Sequence, residues 1–329
     1  MNKLLAIAFS DLHIHNWPDI NGNNDRLKLS LQPLKKVSVI AKKYRVPLLF
    51  AGDLFHNPKH IDNLALSETF KALTEYVEGK KVPLIGISGN HDMCFRNTPN
   101  NISPDYLSTL SLVFPQITCV NWKCYRYRDM VIGGIPYINN NLGYVEVLEK
   151  IKKEFKKYPS SLTRILLIHT DLPGAVDGFG SSLESYGEIP KRFSKLFKGI
   201  DWVLCGHIHR PQLLGKKVIM LGAPYQQTRG DRNQAMGYWK IYRDKKPKFI
   251  PLRDMPEFKE IPKGTALPDN FHYYDEITEE LYTEKDKEDL KIKHTVLKHK
   301  VVKRYLKHSG VTSKKKKDYL LSVINKTNG

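Results

Sequence analysis

Long apolar runs and paired cysteines are both missing from this chain, and each absence excludes a class of protein. No run reaches the roughly 18–20 apolar residues that a membrane span needs. The four cysteines form no CxxC pair and no disulfide framework, so we expect buried, unreactive thiols in a reducing compartment. Residues 4–9 are apolar, but no cleavage site of small residues follows, which favours a buried strand over a signal peptide. The sequence therefore predicts a cytoplasmic protein without a membrane partner.

Acidic residues are scarce as well. The chain has 53 Lys and Arg against 34 Asp and Glu, which gives a net charge of +19. Residues 281–329 alone hold 14 basic and 5 acidic side chains. Such an excess favours polyanionic partners, of which nucleic acid is the commonest. A lysine-rich proteome or a demand for solubility would produce the same net charge, so both interpretations stay open.

Short apolar runs rich in Leu, Ile and Val recur along the first 250 residues, and five of them end in a polar cluster. Runs of this length suit buried strands, and segments with helical spacing lie between them. The alternation predicts an α/β fold, in which ligands bind beyond the carboxyl ends of the strands. The five runs are LLAIAFSDLH (4–13), VPLLFAGDLFH (46–56), VPLIGISGNHD (82–92), RILLIHTD (164–171) and DWVLCGHIH (201–209).

The composition changes after residue 250. Residues 251–275 are rich in proline and predict a linker or a reduced cap. Residues 276–329 are rich in lysine and carry two helical patterns, one over about 276–308 and one after Ser313. We therefore expect a catalytic domain over residues 1–250, followed by a small basic helical segment at the C-terminus.

The polar clusters at the five strand ends predict a metal site. A single His or Asp at a strand end usually forms a cap or a hydrogen bond. Five clusters at one sheet edge would bury several imidazoles and carboxylates together, which is costly unless a cation pairs with them. Mixed oxygen and nitrogen ligands suit Mn, Fe or Zn, and Mg less well. The candidate residues are Asp11, His13, Asp53, Asn90, His91, Asp92, His169, His207 and His209.

The motifs DLH, GDLFH, GNHD, a lone His after an apolar strand, and GHIH follow one another along the chain. In this order they resemble the calcineurin-like metallophosphoesterase superfamily, over about residues 3–245. The resemblance implies a double-sheet sandwich flanked by helices, and two divalent metal ions, with Mn expected and Mg, Fe or Zn as alternatives. It also implies the ligands: Asp11, His13 and His209 for the first metal, Asn90, His169 and His207 for the second, and Asp53 as the bridge between them.

The remaining site residues flank these ligands. His91 follows Asn90, and adjacent side chains point apart, so we expect His91 to meet the substrate, where it protonates the leaving oxygen or stabilises phosphoryl charge. Asp92 either orients the His91 imidazole and raises its pKa, or caps a helix. His56 resembles a family position near the DNA; a helix cap or a contact behind the ligands is the alternative.

The spelling of the motifs points to a substrate class. GDLFH, GNHD and GGIPY (133–137) resemble the SbcD-type nucleases of DNA recombination and repair. The stretch of residues 221–241, which contains LGAPYQQTRGD and AMGYWKI, also resembles that family and in particular its compact phage versions. The resemblance implies a Mn-dependent 3′→5′ exonuclease on duplex ends and an endonuclease on single strands. It would work in the cytoplasm, that of the host if the chain is phage-encoded.

The same resemblance implies partners. An SMC-like ATPase of the SbcC type would dock on the C-terminal helices, and a homodimer is a further expectation. The helices could instead pack on their own core, or their lysines could bind DNA phosphates. Two other functions compete: a small-molecule phosphodiesterase or phosphatase of the same superfamily, and a metal-binding scaffold without catalysis.

Overall fold

A computed structural model describes residues 3–17, 26–95, 97, 102–139, 143–178, 180–183, 195–262 and 273–277. The helices within these ranges are α1 (Arg26–Tyr44), α2 (Asn63–Leu73), α3 (Tyr106–Val113) and α4 (Tyr144–Phe155). The strands are β1 (Leu4–Phe9), β2 (Leu48–Ala51), β3 (Leu84–Ile87), β4 (Ile117–Cys119), β5 (Cys124–Tyr127), β6 (Met130–Ile135), β7 (Thr163–His169), β8 (Trp202–Gly206), β9 (Gln212–Leu214), β10 (Val218–Met220), β11 (Gly237–Tyr242), β12 (Lys248–Pro251), β13 (Phe258–Pro262) and β14 (Tyr273–Ile277).

Most of these strands form two six-stranded mixed sheets. The first sheet has the order β12-β11-β1-β2-β3-β4, with β1, β2, β3 and β4 parallel. The second has the order β5-β6-β7-β8-β10-β9, with β6, β7, β8 and β10 parallel. The expected α/β double-sheet sandwich is confirmed, and all five motif-bearing runs supply parallel strands to it.

The two sheets bury apolar side chains on both of their faces. Leu49 and Ile85 of the first sheet share one cluster with Ile165 and Leu204 of the second, so this cluster is the layer between the sheets. On the outer face of the first sheet the core is completed by α1, α2 and α3, and α4 does the same for the second sheet. Strands covered on both faces read as continuous apolar runs, which explains why the sequence shows no alternation there.

Two strands lie in the described part of the C-terminal region. β13 lies inside the proline-rich stretch that predicts a loop, and it pairs with β14 in a small separate sheet. β14 reaches residue 277, at the start of the segment for which the sequence predicts helices. The chain divides into a unit of residues 1–260 and 267–275, which holds the two large sheets, and a second unit of 261–266 and 276–329. The predicted helices of the second unit lie outside the described residues.

The four cysteines differ in their exposure. All four cysteines are free thiols, but Cys94 is exposed, so the prediction of buried thiols is wrong for that residue. Burial raises the pKa of Cys124 to about 12, which keeps this thiol protonated. Among the described residues, no helix combines the length and the apolar character that crossing a bilayer requires.

Candidate metal centre

The candidate ligands lie where parallel strands of both sheets end. β1, β2 and β3 run into the loops that carry Asp11 and His13, Asp53, and Asn90. In the second sheet β7 ends at His169, and His207 follows β8. Parallel strands present their carboxyl ends at one edge of a sheet, so the two sheets bring these loops together from both sides of the sandwich.

The backbone at this edge adopts conformations that side-chain-bearing residues rarely take. Asp11, His13, Asp53 and His207 have φ angles of 54°, 45°, 60° and 94°. Non-glycine residues with positive φ cost on the order of 1 kcal/mol or more each, and they concentrate at functional sites. Four such residues among the seven candidate ligands indicate that the loops are held in place by their surroundings and not by local preference.

Gly52 permits the close approach of these loops. Its φ is +95°, and a Cβ atom at this position would lie 2.6 Å from both the Gly89 backbone nitrogen and Nδ1 of His169. Glycine is the residue that accepts both conditions at once, because it lacks a Cβ atom. The glycine of the GDLFH motif therefore lets the ends of β2, β3 and β7 meet.

The first group of donors contains Asp11, His13 and His209, whose ligand atoms lie within 4.8 Å of one another. Nε2 of His13 is 3.3 Å from Nε2 of His209 and 3.9 Å from Oδ1 of Asp11. Two imidazole nitrogens that face each other satisfy both lone pairs only around a shared cation or proton. This arrangement fits a bound metal ion.

The second group contains Asp53, His169 and His207, again with ligand atoms within 4.8 Å of one another. Asn90 joins it, because its Oδ1 lies 3.0 Å from Nε2 of His169. Oδ2 of Asp53 is 3.3 Å from Nε2 of His169 and 3.5 Å from Nε2 of His13. One carboxylate oxygen therefore faces both groups, which is where a bridging ligand would have to lie.

The electrostatics of the centre favour positive charge between the ligands. Burial alone lowers the pKa of His169, but the adjacent Asp53 carboxylate outweighs burial and raises this pKa to about 9. At His13 burial prevails over the attraction of Asp53 and holds the pKa well below its usual value. Burial would raise the pKa of Asp53, yet the positive His169 ring lowers it. A carboxylate this buried needs a cationic neighbour, and mixed oxygen and nitrogen donors of this kind suit divalent metals.

His91 lies beside the first group without belonging to it. Its Nδ1 contacts the backbone carbonyl of His56, and its backbone N–H donates to Oδ1 of Asp53 at 2.8 Å. The His91 ring packs edge to face on the His13 ring, with centroids 4.8 Å apart. Donor atoms of His13, His56 and His91 also lie within 4.8 Å of one another, so distance alone would allow a third grouping.

The Asp92 carboxylate binds backbone N–H groups, and among the described residues it forms no hydrogen bond with the His91 ring. Its carboxylate accepts hydrogen bonds from the backbone N–H groups of Asp53 at 2.8 Å, Leu54 at 2.8 Å, Phe55 at 3.2 Å and Gly89 at 2.9 Å. The hydrogen bond from the Gly89 N–H group caps the N-terminus of the 3₁₀ turn of residues 90–92. Burial, followed by repulsion from Asp53, raises the pKa of Asp92 to about 7. Asp92 thus fastens the loop after β2 to the loop after β3.

His56 belongs to a group of aromatic rings at the edge of the centre. Its ring centroid is 5.4 Å from that of His13 and 5.3 Å from that of His91. On its other side lie His15 at 5.1 Å and Trp17 at 4.5 Å. Burial and the neighbouring imidazoles of His15 and His91 lower the pKa of His56 to about 4. The ring is therefore neutral near pH 7.

The sequence did not predict that three further residues contact the site. Asp231 lies 3.4 Å from Nδ1 of His209, and Asp171 lies 3.4 Å from Nε2 of His207. The Gln227 amide donates to the carbonyl oxygen of Asp11 at 2.6 Å. The stretch QQTRGD (226–231) carried the signal, because it matches the family resemblance, but only the fold shows that it returns to the ligands.

The centre opens into a pocket of about 260 Å³. The pocket floor includes His13, Asp53, His91, His207 and His209. Other side chains of its wall come from the loop after β1, the start of α1 and the segment before the 3₁₀ turn at Arg229–Asp231. A small polar group such as a phosphoester can therefore reach the candidate ligands from solvent.

Comparison with known families agrees with this geometry. The profile of the calcineurin-like phosphoesterases matches residues 5–211, the region that carries all seven candidate ligands. The chain belongs to the calcineurin-like phosphoesterase family. This domain is accordingly a hydrolase of phosphoester bonds that uses divalent metal ions.

A relative of the phosphoesterase domain is exonuclease subunit 1 of enterobacteria phage T4. The two sequences are 27% identical over 224 residues, which cover 68% of this chain and 57% of the phage protein. The matched region thus spans a little over half the length of this relative.

Proposed function

We propose that the chain is a metal-dependent DNA nuclease. The observation that carries the proposal is the single Asp53 oxygen that faces both donor groups at the floor of an open pocket. Asp11, His13 and His209 would hold one divalent ion and Asn90, His169 and His207 the other, with Asp53 shared. Two divalent ions held by these residues would activate a water molecule and bind the phosphate oxygens. Mn is the proposed metal, with Mg, Fe or Zn as alternatives.

In this mechanism His91 handles the leaving group. The His56 carbonyl fixes the proton of His91 on Nδ1, so Nε2 is the ring nitrogen that meets the substrate. From Nε2 the protonated ring can transfer a proton to the departing oxygen, or stabilise charge on the phosphoryl group. His56 supports His91 through its carbonyl and presents its own neutral ring to the substrate. Asp92 acts indirectly, since it holds the loops of Asp53 and His91 together.

DNA is the proposed substrate for two reasons. The net charge of +19 favours a polyanion, and the phage relative is named as an exonuclease subunit. We further propose 3′→5′ exonuclease action on duplex ends and endonuclease action on single strands, in DNA recombination and repair in the cytoplasm, that of the host if the chain is phage-encoded. A small-molecule phosphodiesterase or phosphatase is the alternative, and it would turn over nucleotide esters while remaining indifferent to DNA.

Two protein partners are proposed. The basic segment of residues 276–329 would dock on an SMC-like ATPase of the SbcC type. A second copy of the chain would pack on α2 and α3, which expose Leu66 and Leu112 and adjoin through the ring contact of Phe70 with Phe114. Burial of these exposed apolar side chains would stabilise such a dimer.

The decisive experiment compares wild-type protein with His91→Ala on labelled single-stranded and duplex DNA in the presence of Mn. We expect the variant to release nucleotides about 10²–10⁴-fold more slowly while it retains its metal content, because His91 is a proton donor and not a ligand. His60→Ala is the matched control, since His60 is an exposed histidine on the loop after β2. Equal rates for His91→Ala and wild type would remove His91 from the mechanism, and a wild type inactive on DNA but active on nucleotide esters would favour the alternative.

A further inference from the structure

The wall of the pocket carries three side chains that take no part in the proposed catalytic steps, namely His15, Trp17 and Arg26. They come from the loop after β1 and from the first residue of α1. The rings of His15 and Trp17 are in contact, with centroids 4.9 Å apart, and both touch His56. The three side chains therefore form one surface that adjoins the candidate metal centre.

His15 offers a hydrogen-bond acceptor without a partner. Its side chain is buried, with 8% of the residue exposed, and its Nδ1 lies 2.6 Å from the carbonyl oxygen of His13. A carbonyl oxygen only accepts, so Nδ1 carries the proton, and in the neutral ring Nε2 bears a lone pair. This buried Nε2 has no hydrogen-bond partner within the described residues. Buried polar atoms without a partner are rare, so we expect Nε2 to accept a hydrogen bond from an N–H or O–H group of a ligand.

Trp17 and Arg26 supply what a nucleotide needs besides a hydrogen bond. Trp17 is 51% exposed although it packs edge to face on His56, so much of its indole is free to stack. Arg26 donates to the carbonyl oxygen of Gln227 at 2.5 Å, which uses one of its five N–H groups and fixes the guanidinium at the pocket. Arg26 also begins α1, and the positive end of a helix dipole favours a phosphate.

We propose that His15, Trp17 and Arg26 form a subsite for an unpaired nucleobase and its phosphate, next to the scissile bond. The base stacks on Trp17 and donates an N–H to Nε2 of His15, and Arg26 contacts the neighbouring phosphate. Stacked base pairs of an intact duplex cannot present a free face in this way, so the subsite selects single strands or frayed ends. This inference rests on the proposed nuclease function and names the form of its substrate.

The test is a binding measurement in the presence of a chelator, so that it depends on neither metal nor turnover. Fluorescence anisotropy compares the dissociation constants of a labelled single-stranded oligonucleotide and of the same strand with abasic sites. Wild type should bind the normal strand on the order of 10-fold more tightly, because stacking on an aromatic ring is lost without the base. Trp17→Ala should abolish this preference and Trp17→Phe should largely retain it. Tyr44→Ala is the matched control, since Tyr44 is an exposed aromatic residue at the far end of α1.

His15 is tested separately with oligothymidylate and its N3-methyl analogue, which lacks the only N–H donor of the base. Wild type should prefer the unmodified strand, and His15→Phe, which keeps a ring but removes the acceptor, should bind both strands equally. Equal binding of normal and abasic strands by wild type, or a preference that survives in Trp17→Ala, overturns the subsite. Base preference without any DNA hydrolysis in Mn leaves the subsite standing and refutes the nuclease, whereas hydrolysis without base preference refutes the subsite alone.

Discussion

At the scale of single residues, side chains that contact the candidate ligands help to position them. Asp231 is nearly buried and accepts from the backbone N–H groups of Gln227 and Thr228, so its carboxylate is held rigidly toward His209. Burial favours a lower pKa for His209, but the hydrogen bond to Asp231 and the nearby carboxylate charges together outweigh burial and raise this pKa. A carboxylate behind a ligating imidazole fixes the orientation of the ring and increases its basicity.

Asp231→Asn should weaken binding of Mn at the first group about 10–100-fold, because the amide preserves the shape but not the charge behind His209. Titration calorimetry of the metal-free protein measures this directly. Asp254→Asn is the control, because Asp254 is an exposed carboxylate that pairs with Lys36 away from the centre. A dissociation constant within two-fold of wild type would show that Asp231 is not needed to position His209.

Asp92→Asn should lower the free energy of unfolding by roughly 2–4 kcal/mol, since an amide nitrogen would face backbone N–H groups that now donate to a carboxylate oxygen. Urea denaturation of the metal-free protein gives this value. An unfolding free energy unchanged from wild type would mean that the four hydrogen bonds to Asp92 are not needed to hold the loops after β2 and β3.

At the scale of elements, the site is made by strand ends that approach more closely than ordinary loops do. The ends of β2, β3 and β7 meet around Gly52, whose missing side chain leaves room for the Gly89 backbone and the His169 ring. In the GD pair of this motif, Gly52 therefore meets a packing requirement and Asp53 supplies a candidate ligand.

Gly52→Ala and Gly174→Ala form a matched pair at this scale. Both glycines have positive φ, +95° and +83°, but a Cβ atom at Gly174 would meet nothing within 4 Å. Gly174→Ala should cost about 1 kcal/mol of stability through backbone strain alone. Gly52→Ala should lower the free energy of unfolding by on the order of 2–4 kcal/mol more than Gly174→Ala does, because backbone atoms would have to move. The same movement should also reduce metal binding. Equal losses of unfolding free energy in the two variants would contradict the close-approach argument.

At the scale of the whole molecule, metal binding and association should both be visible as changes in stability or size. The loops of the centre come from both sheets, so an ion held between them ties the sheets together only in the folded state. A ligand that binds the folded state alone stabilises it by about 2.7 kcal/mol at a concentration 100 times its dissociation constant.

Addition of Mn to chelator-treated protein should raise the melting temperature by roughly 5–10 °C, measured by calorimetry. Asp53→Asn should show a much smaller rise, because the shared carboxylate is gone from both groups. A rise of the same size in Asp53→Asn would place the bound metal elsewhere in the protein.

Leu66→Asp and Leu112→Asp should convert a dimer into a monomer if a second copy covers α2 and α3, because each change places a charge in a buried apolar interface. Light scattering coupled to size-exclusion chromatography measures the molecular mass of the particle in solution. Val39→Asp on α1 is the control, because it alters an exposed apolar residue of another helix. A wild type that is monomeric at tens of micromolar would refute the homodimer.

The sequence by itself determined the fold class and the identity of the phosphoesterase domain. Apolar runs of strand length fixed β1, β2, β3, β7 and β8, because strands buried on both faces must be continuously apolar. The polar residues after those runs were the candidate ligands, because so many imidazoles and carboxylates at strand ends are typical of a metal site. A local pattern of apolar and polar residues predicts which side chains are buried, and this is enough to predict strands and the polar residues at their ends.

Only the tertiary structure decided which polar groups meet. It brought Asp231 to His209, and it placed both oxygens of Asp92 within hydrogen-bond distance of backbone N–H groups. It also placed His15, Trp17 and Arg26 on one wall, although a loop and the start of a helix supply them. Such contacts depend on how the two sheets pack against each other. The local sequence does not predict the distance between residues that are far apart in the chain.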